Sequence, residues 1–377
     1  MPNTVNRTRA MRVFMTADAV GGVWQYALDL ADGLRPHGIE VTLAVLGPAP
    51  SLIQEAAAAR SGITLLATGL PLDWAARHSG EVEEAAWEVG RLAIEAEPDV
   101  VHLNQPALAA TAVFPAPVVA VCHSCVATWW QANRTGPLPA EFAWQADLVA
   151  RGYRVADALA APTAAFAAAT AATYGLAVAP HVVRNGRRYA ASATLDAPLS
   201  IFTAGRLWDE GKNIAALDRA AARLSLPVLA AGPLEGPNGA RIGLQHIVSL
   251  GRLSDAEMAE RLRMRPIFAS TARYEPFGLA VLEAAQAGCA LVLSDIPTFR
   301  ELWDGAAVFV APEEDAAIAQ AIEIIAADED ERALLGQAAR DRSDTYSVEK
   351  MCTGMVAIYR SLLADRAETR SAEDAAA

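Results

Sequence analysis

The chain has 377 residues, which is enough for two domains that each bury a core of their own. Its hydrophobic fraction of 53% with only 6% aromatics suits helices packed on buried strands better than an all-β sandwich. The formal net charge of −13 argues against a nucleic-acid partner, because binding to a phosphate backbone relies on clustered Lys and Arg.

The first half of the sequence alternates short apolar strands with amphipathic helices. We predict strands and helices, in chain order, over 11–17, 24–34, 40–46, 52–59, 64–66, 82–96, 100–103 and 118–122. The strands are apolar without strict alternation, which indicates a parallel sheet covered on both faces.

The same pattern restarts after 185–198, where Gly and Pro interrupt the periodicity. The predicted elements of this half lie over 199–204, 213–223, 227–231, 247–250, 255–263, 266–270, 278–287, 290–294, 307–310 and 315–327. We therefore predict an α/β protein with two doubly wound parallel-sheet domains, 1–188 and 189–345. The remaining segment, 346–377, holds a last helix over 348–363 and a tail expected to be disordered. Such domains bind ligands beyond the carboxyl ends of their strands.

The strongest motif is EPFGLAVLE, which runs from Glu275 to Glu283 after a predicted strand. Pro276 and Gly278 shape the entry to a helix, whose N-terminus offers unpaired backbone N–H groups to a diphosphate or to sugar oxygens. Glu283 lies about a turn and a half into that helix, where its carboxylate can accept two ribose hydroxyls. Two solvated surface glutamates are the alternative, but an apolar helix that ends at Gly288 beside another strand indicates a buried element.

Two cations follow an earlier strand of the same half. Arg206 suits a diphosphate because its fork binds two oxygens, and Lys212 suits it as a point charge. Ordinary surface cations are the alternative. Arg252 and Leu253 take the corresponding place after the strand at 247–250.

Two features of the first half also follow strands. Gly21 and Gly22 lie between the first strand and helix, in a loop that lacks the dinucleotide fingerprint and has an ordinary turn as its alternative. His123 follows the strand at 118–122, where a purely structural histidine is the alternative.

The segment EPFGLAVLEAAQAGCALVLSD resembles the signature of the retaining family 4 glycosyltransferases, the group 1 family. The resemblance covers essentially the whole chain and is strongest over 200–312. It implies the GT-B fold, in which two Rossmann-like domains face a central cleft and the last helix crosses back to the first domain. It also implies that Glu275 approaches the donor sugar and Glu283 holds the nucleotide ribose. The backbone of Phe277, Gly278 and Leu279 would meet the sugar and the distal phosphate.

The resemblance assigns roles to the other motif residues as well. It implies that Arg206 and Lys212 form a diphosphate site and that Arg252 and Leu253 line the nucleobase. It also implies that the loop of Gly21 and Gly22 lies near the phosphates and that His123 lies near the donor sugar. Two positions depart from the family pattern, since Ser124 and Arg188 each stand where Asp is usual.

We expect a retaining hexosyltransferase that moves a sugar from a UDP- or GDP-sugar to a hydroxyl acceptor in glycan, polysaccharide or glycolipid synthesis. The expected mechanism is front-face attack, in which Arg206, Lys212 and the helix N-terminus stabilise the leaving diphosphate without a metal. His123 and Glu275 complete the expected catalytic set. A nucleotide-sugar epimerase, a phosphorylase-type transferase and a non-catalytic nucleotide-sugar-binding protein remain alternatives.

No cofactor or metal is expected beyond the nucleotide-sugar donor. Cys122 and Cys125 lack two further ligands at spacings typical of zinc sites. Trp129 and Trp130 are predicted to contact the acceptor, because indole faces stack on sugar rings. The sequence has no signal peptide or long apolar run, so we expect a cytoplasmic protein. Peripheral contact with the inner face of the membrane, through a lipid-linked acceptor, stays open.

Overall fold

The computed structural model describes residues 9–188 and 194–376, and the chain divides into two compact units. The first unit comprises the described residues up to His123, then Glu141–Ala160, then the chain from Met351 onward. The second unit comprises Ser124–Ala140 and Ala161–Lys350. The domain boundary expected after residue 188 adjoins 189–193, which lie outside the described residues.

The strands of the first sheet are short and mostly buried. They are β1 Met11–Asp18, β2 Ile39–Leu46, β3 Thr64–Ala67, β4 Val100–Leu103, β5 Val118–Val121, β6 Ala158–Ala161 and β7 His181–Val182. Their order is β3-β2-β1-β4-β5-β6-β7, and β1 to β6 pair in parallel. The order reverses between β1 and β4, and a crevice opens at such a reversal beyond the carboxyl ends of the strands.

Helices connect most of these strands, and a short 3-10 helix, Pro106–Ala110, lies between β4 and β5. The α-helices are α1 Gly22–Leu34, α2 Leu52–Arg60, α3 Ser79–Ala96, α4 Val126–Asn133, α5 Ala143–Val155 and α6 Ala164–Tyr174. Capping explains where they begin: Ser51 and Gln54 form a capping box at α2, and Thr163 accepts from the third helical N–H of α6.

The second sheet repeats the design. Its strands are β8 Ile201–Ala204, β9 Val228–Ala231, β10 Ile247–Gly251, β11 Ile267–Ser270, β12 Leu291–Ser294 and β13 Val308–Val310. They pair in parallel in the order β10-β9-β8-β11-β12-β13. The order reverses between β8 and β11, so the loops after these two strands border the crevice of this sheet.

The remaining helices are α7 Ile214–Ala221, α8 Asp255–Arg263, α9 Leu279–Ala287, α10 Pro297–Trp303, α11 Asp315–Ala327, α12 Glu329–Ser343 and α13 Val348–Ala376. Helix α9 lies between two glycines with positive φ, Gly278 at 90° and Gly288 at 80°. A left-handed residue is common just after a helix and favours glycine, which explains the sharp stop at Gly288.

The structure confirms the two parallel sheets and the α/β class, and it corrects several element bounds. Helices α4, α5, α6, α10 and α12 and strands β6 and β7 have no predicted counterpart in the sequence analysis. Strand β6 is rich in alanine, which favours helices, so only its pairing with β5 reveals it. Helix α13 continues past Leu363, the predicted helix end, to Ala376. No helix in the described part of the chain is long and apolar enough to cross a membrane.

Candidate active site

The loop after β8 carries both predicted cations. The Nη2 atom of Arg206 donates to the Oδ2 atom of Asp209 at 2.8 Å, and the backbone N–H of Gly211 donates to the Oδ1 atom of the same carboxylate at 2.9 Å. Burial acts to raise the pKa of Asp209, but the charges of Arg206 and Lys212, together with the hydrogen bonds that this carboxylate accepts, hold the pKa below its usual value. Asp209 is therefore an anion that fixes the shape of the loop.

The loop after β11 brings Glu275 to the same place. The Nζ atom of Lys212 donates to the Oε2 atom of Glu275, and the two side chains are only 18% and 17% exposed. Arg206, Lys212 and Glu275 all line one pocket, with Ser270 and Val281 among its other walls. The structure thus brings together three of the four predicted catalytic residues.

Arg206 retains an unused hydrogen-bond donor at this pocket. Its Nε atom is buried and has no hydrogen-bond partner within 9–188 and 194–376. A buried donor without a partner is costly, by about 1–3 kcal/mol, so such an atom is a natural place for a ligand oxygen.

The N-terminus of α9 completes this side of the second unit. Gly278 is the N-cap residue of α9, but no side chain there accepts a hydrogen bond from the helix. The first N–H groups of the helix are therefore left for another acceptor. Phe277 is buried and packs edge-on against Tyr346, with ring centroids 5.9 Å apart. Leu279, the first helical residue, is half-buried. These contacts anchor the turn that presents the helix N-terminus.

Glu283 has a partner that the sequence analysis does not predict. The Nε atom of Arg187 donates to the Oε1 atom of Glu283 at 2.6 Å, and the side chains are 13% and 17% exposed. Gln286 holds the backbone of Arg187 through a 2.8 Å hydrogen bond from Nε2. A carboxylate has about four lone-pair sites, so one bond to Arg187 leaves room for ribose hydroxyls on Glu283.

Arg252 and Leu253 lie after β10, as predicted, but they do not line the pocket that holds Arg206. Arg252 is exposed, whereas Leu253 is half-buried and packs against the core beside α9. Their assignment to the nucleobase stays a prediction.

The glycine loop of the first unit is stabilised by its own carboxylate. The Oδ1 atom of Asp18 accepts from the backbone N–H groups of Val20 at 2.8 Å and Gly21 at 3.2 Å. Gly21 caps α1 and Gly22 begins it. The N–H of Gly21 bonds to Asp18 and that of Trp24 bonds to the carbonyl of Gly21, so the amides of Gly22 and Val23 are the ones available to a phosphate.

His123 lies after β5 in the first unit. Its Nε2 atom is 2.7 Å from the Oδ1 atom of Asn104, and the ring of Tyr26 meets it edge-on at 4.6 Å between centroids. Burial, and secondarily the neighbouring His102, lower the pKa of His123 to about 3. The imidazole is therefore neutral at physiological pH. Ser124, which departs from the pattern of the family that the sequence resembles, is exposed.

The two tryptophans of α4 belong to the second unit and differ in their contacts. The indole Nε1 of Trp129 donates to the Oδ1 atom of Asp209 at 3.1 Å, whereas that of Trp130 donates to the carbonyl of Gly136 at 3.3 Å. Arg134 lies over both rings, with its guanidinium carbon 5.5 and 5.7 Å from their centroids. It also forms a forked ion pair with Glu210, the neighbour of Asp209. Trp129 thus packs against the loop of Arg206, a contact that no local sequence pattern indicates.

Among the residues that the structure describes, no three or more His, Cys, Asp or Glu side chains lie together so that they can hold a metal ion. No disulfide joins the cysteines of the described residues, and Cys125 caps α4 through its sulfur.

Two family models match the sequence, and together they cover most of it. The model described as Glycosyltransferase Family 4 matches residues 20–188, and the model described as Glycosyl transferases group 1 matches residues 235–342. The chain belongs to the family 4, group 1 glycosyltransferases. A search of the curated proteins found no match to this glycosyltransferase.

Solved structures of similar fold support the same architecture for this glycosyltransferase. Sucrose-phosphate synthase from Thermosynechococcus elongatus is similar with a TM-score of 0.77 at 16% identity, covering 94% of this chain and 100% of that one. HepE from Anabaena, solved in complex with UDP-glucose, has a TM-score of 0.69 at 18% identity, covering 93% and 100%. WaaG, a glycosyltransferase involved in lipopolysaccharide biosynthesis, has a TM-score of 0.69 at 14% identity, covering 93% and 99%. The fold is therefore GT-B.

Proposed function

We propose that the protein is a retaining hexosyltransferase that uses a nucleoside-diphosphate sugar, with a UDP-sugar as the first candidate. The observation that carries the proposal is the pocket after β8 and β11, where Arg206, Lys212 and Glu275 lie together. The choice of UDP is supported by HepE, which was solved with UDP-glucose. The acceptor is proposed to be a hydroxyl of a glycan or lipid-linked glycan, in polysaccharide or glycolipid synthesis.

The donor's diphosphate suits the cations of the pocket. The unpartnered Nε of Arg206 would donate to a phosphate oxygen, and Lys212 would contribute a point charge. The amides at the N-terminus of α9 would take a distal phosphate oxygen, since a helix N-terminus favours anions. Glu283, oriented by Arg187, would accept the ribose hydroxyls.

The proposed reaction is front-face attack by the acceptor hydroxyl. The bond between the anomeric carbon and the phosphate oxygen breaks while the acceptor oxygen bonds to that carbon on the same face. The acceptor's proton passes to the departing phosphate oxygen. Arg206 and Lys212 stabilise the charge that develops there, so the proposal assigns no role to a metal. Glu275, held by Lys212, would accept a hydroxyl of the donor sugar.

Product analysis with anomerically labelled UDP-hexose tests this proposal. The protein is incubated with the donor and a panel of hydroxyl acceptors, and the new glycosidic bond is assigned by NMR coupling constants. Transfer that keeps the donor's configuration is the expected result, and Lys212→Ala should lose it. An inverted product would contradict the retaining mechanism. An isomerised nucleotide sugar formed without an acceptor would indicate an epimerase, and binding without turnover would indicate a non-catalytic protein.

A further inference from the structure

A chain of hydrogen bonds runs from His123 to the last helix within the first unit. The Oδ1 atom of Asn104, which directly follows β4, lies 2.7 Å from the Nε2 atom of His123 and 3.2 Å from the Nε2 atom of His102. The Nδ1 atom of His102 lies 2.7 Å from the hydroxyl of Tyr359 on α13. Asn104, His102 and Tyr359 are all buried, so these polar atoms satisfy one another.

Thr16 fixes the orientation of the Asn104 amide. The Nδ2 atom of Asn104 donates to the carbonyl oxygen of Thr16 at 2.7 Å, and its backbone N–H donates to the hydroxyl of Thr16 at 3.0 Å. Exchanging the amide oxygen and nitrogen would bring two acceptor oxygens to 2.7 Å with no hydrogen between them. A buried polar group without its hydrogen bond lowers the stability by about 1–3 kcal/mol. The Oδ1 atom of Asn104 therefore faces both imidazoles.

This orientation decides where the protons of both histidines lie. A carboxamide oxygen only accepts, so His102 and His123 must each donate from Nε2. The Nδ1 atom of His102 is then a lone pair that accepts from the hydroxyl of Tyr359. Burial lowers the pKa of His102 to about 4, so this ring is also neutral at physiological pH. Each ring carries its one proton on Nε2.

The other nitrogen of His123 faces a different environment. Within the described part of the chain, the Nδ1 atom of His123 has no hydrogen-bond partner, and this atom is not fully buried. The ring of Tyr26, tilted 71° to the imidazole, holds the plane of the ring. The Nδ1 lone pair is therefore held in place and open to a donor.

We propose that Asn104 is a positioning residue that locks His123 in the Nε2–H tautomer, so that Nδ1 accepts a hydrogen bond from a substrate hydroxyl. In this state His123 neither carries charge nor donates a proton to the reacting sugar. The identity of the hydroxyl rests on the proposed function. The tautomer does not, because it is a property of the free protein.

Long-range ¹H–¹⁵N correlation spectra of the ¹⁵N-labelled full chain test the tautomer directly. His102→Gln and His123→Gln assign the two sets of ring signals. At pH 7 we expect a protonated Nε2 and an unprotonated Nδ1 for both rings. A His123 ring protonated on Nδ1, averaged between tautomers or fully protonated would overturn the proposal.

Three variants separate positioning from folding. Asn104→Asp keeps an acceptor for both rings but sets its second oxygen against the carbonyl of Thr16, so it should lower the stability by about 1–3 kcal/mol. His123 should retain its tautomer in this variant, while the new anion raises the pKa of His123. Asn104→Leu removes the acceptor, so His123 should exchange between tautomers and kcat should fall at least tenfold. Tyr359→Phe, the control, should change the signals of His102 and leave those of His123 unchanged.

The outcomes keep this proposal distinct from the transferase assignment. If Asn104→Leu does not fold, the wild-type spectrum and the titration of Asn104→Asp still decide the matter. A wild-type tautomer as expected, in a protein with no transferase activity, would refute the proposed function alone. A His123 tautomer that is unchanged in Asn104→Leu would refute the role of Asn104, whatever the activity.

Discussion

Replacing Trp129 by Phe removes one hydrogen bond from the anion that shapes the diphosphate loop. The indole Nε1 donates to Asp209, which is buried and which also binds Arg206 and the backbone of Gly211. A Cβ atom added to Gly211 would lie 2.8 Å from the same indole nitrogen, so the ring also packs directly on the loop. We therefore expect Trp129→Phe to loosen the position of Arg206.

The size of the effect follows from the contact. A hydrogen bond to a charged group contributes about 1.5–3 kcal/mol. Asp209 keeps its bonds to Arg206 and Gly211 in the variant, so the lower end of that range applies. Because about 1.4 kcal/mol corresponds to a tenfold change in rate, we expect kcat/KM for the donor to fall about tenfold.

Steady-state kinetics with donor and acceptor varied in turn would measure this effect. Trp130→Phe is the matched control, since Trp130 lies on the same helix and under the same Arg134 but donates to the carbonyl of Gly136. It should leave the donor's kcat/KM nearly unchanged. Equal effects of the two substitutions would refute the argument. A rise confined to the acceptor's KM in Trp129→Phe would instead support the acceptor contact expected from the sequence.

Three further predictions follow from the site. Lys212→Ala should lower kcat at least 100-fold, because Glu275 loses its partner and the leaving diphosphate loses a cation. The control Lys350→Ala, on α13, should not lower kcat, and circular dichroism would check that both variants fold. Arg187→Gln should raise the donor's KM about tenfold, since Glu283 loses its 2.6 Å donor, whereas Arg188→Gln should leave it unchanged. A chelator in excess should leave the initial rate unchanged, and loss of rate that is restored by a divalent cation would show that Arg206 and Lys212 do not suffice.

The sequence predicts the strands and the loops that follow them well, for a physical reason. Buried parallel strands are continuous apolar runs, and ligand residues of such sheets lie in the loops beyond them. Arg206 and Glu275 could be placed on that basis, because β8 and β11 are apolar and end just before them. The Ala-rich stretch that contains β6 and α6 could not be assigned in this way, because alanine indicates neither a buried face nor a strand.

Contacts between distant residues were beyond sequence reasoning. Arg187 lies 96 residues from Glu283, and Trp129 lies 80 residues from Asp209. No local spacing relates such positions, because the packing of whole elements brings them together. The same holds for His123 and Asn104, which are 19 residues apart and lie just after two adjacent strands of the first sheet, β5 and β4. The sequence indicated His123 as a site residue but gave no means to assign its proton.

The most direct test of the central claim is nucleotide binding to the second unit. Thermal unfolding of the full chain would be followed with UDP-, GDP- and ADP-sugars, for the wild type and for Arg206→Gln. A donor present at about 100 times its Kd adds about 2.7 kcal/mol of stability, which corresponds to a Tm increase of about 3 °C for a chain of 377 residues. We predict this increase for one nucleotide class in the wild type, and its loss in Arg206→Gln. No increase with any nucleotide sugar, or an equal increase in the variant, would contradict the account.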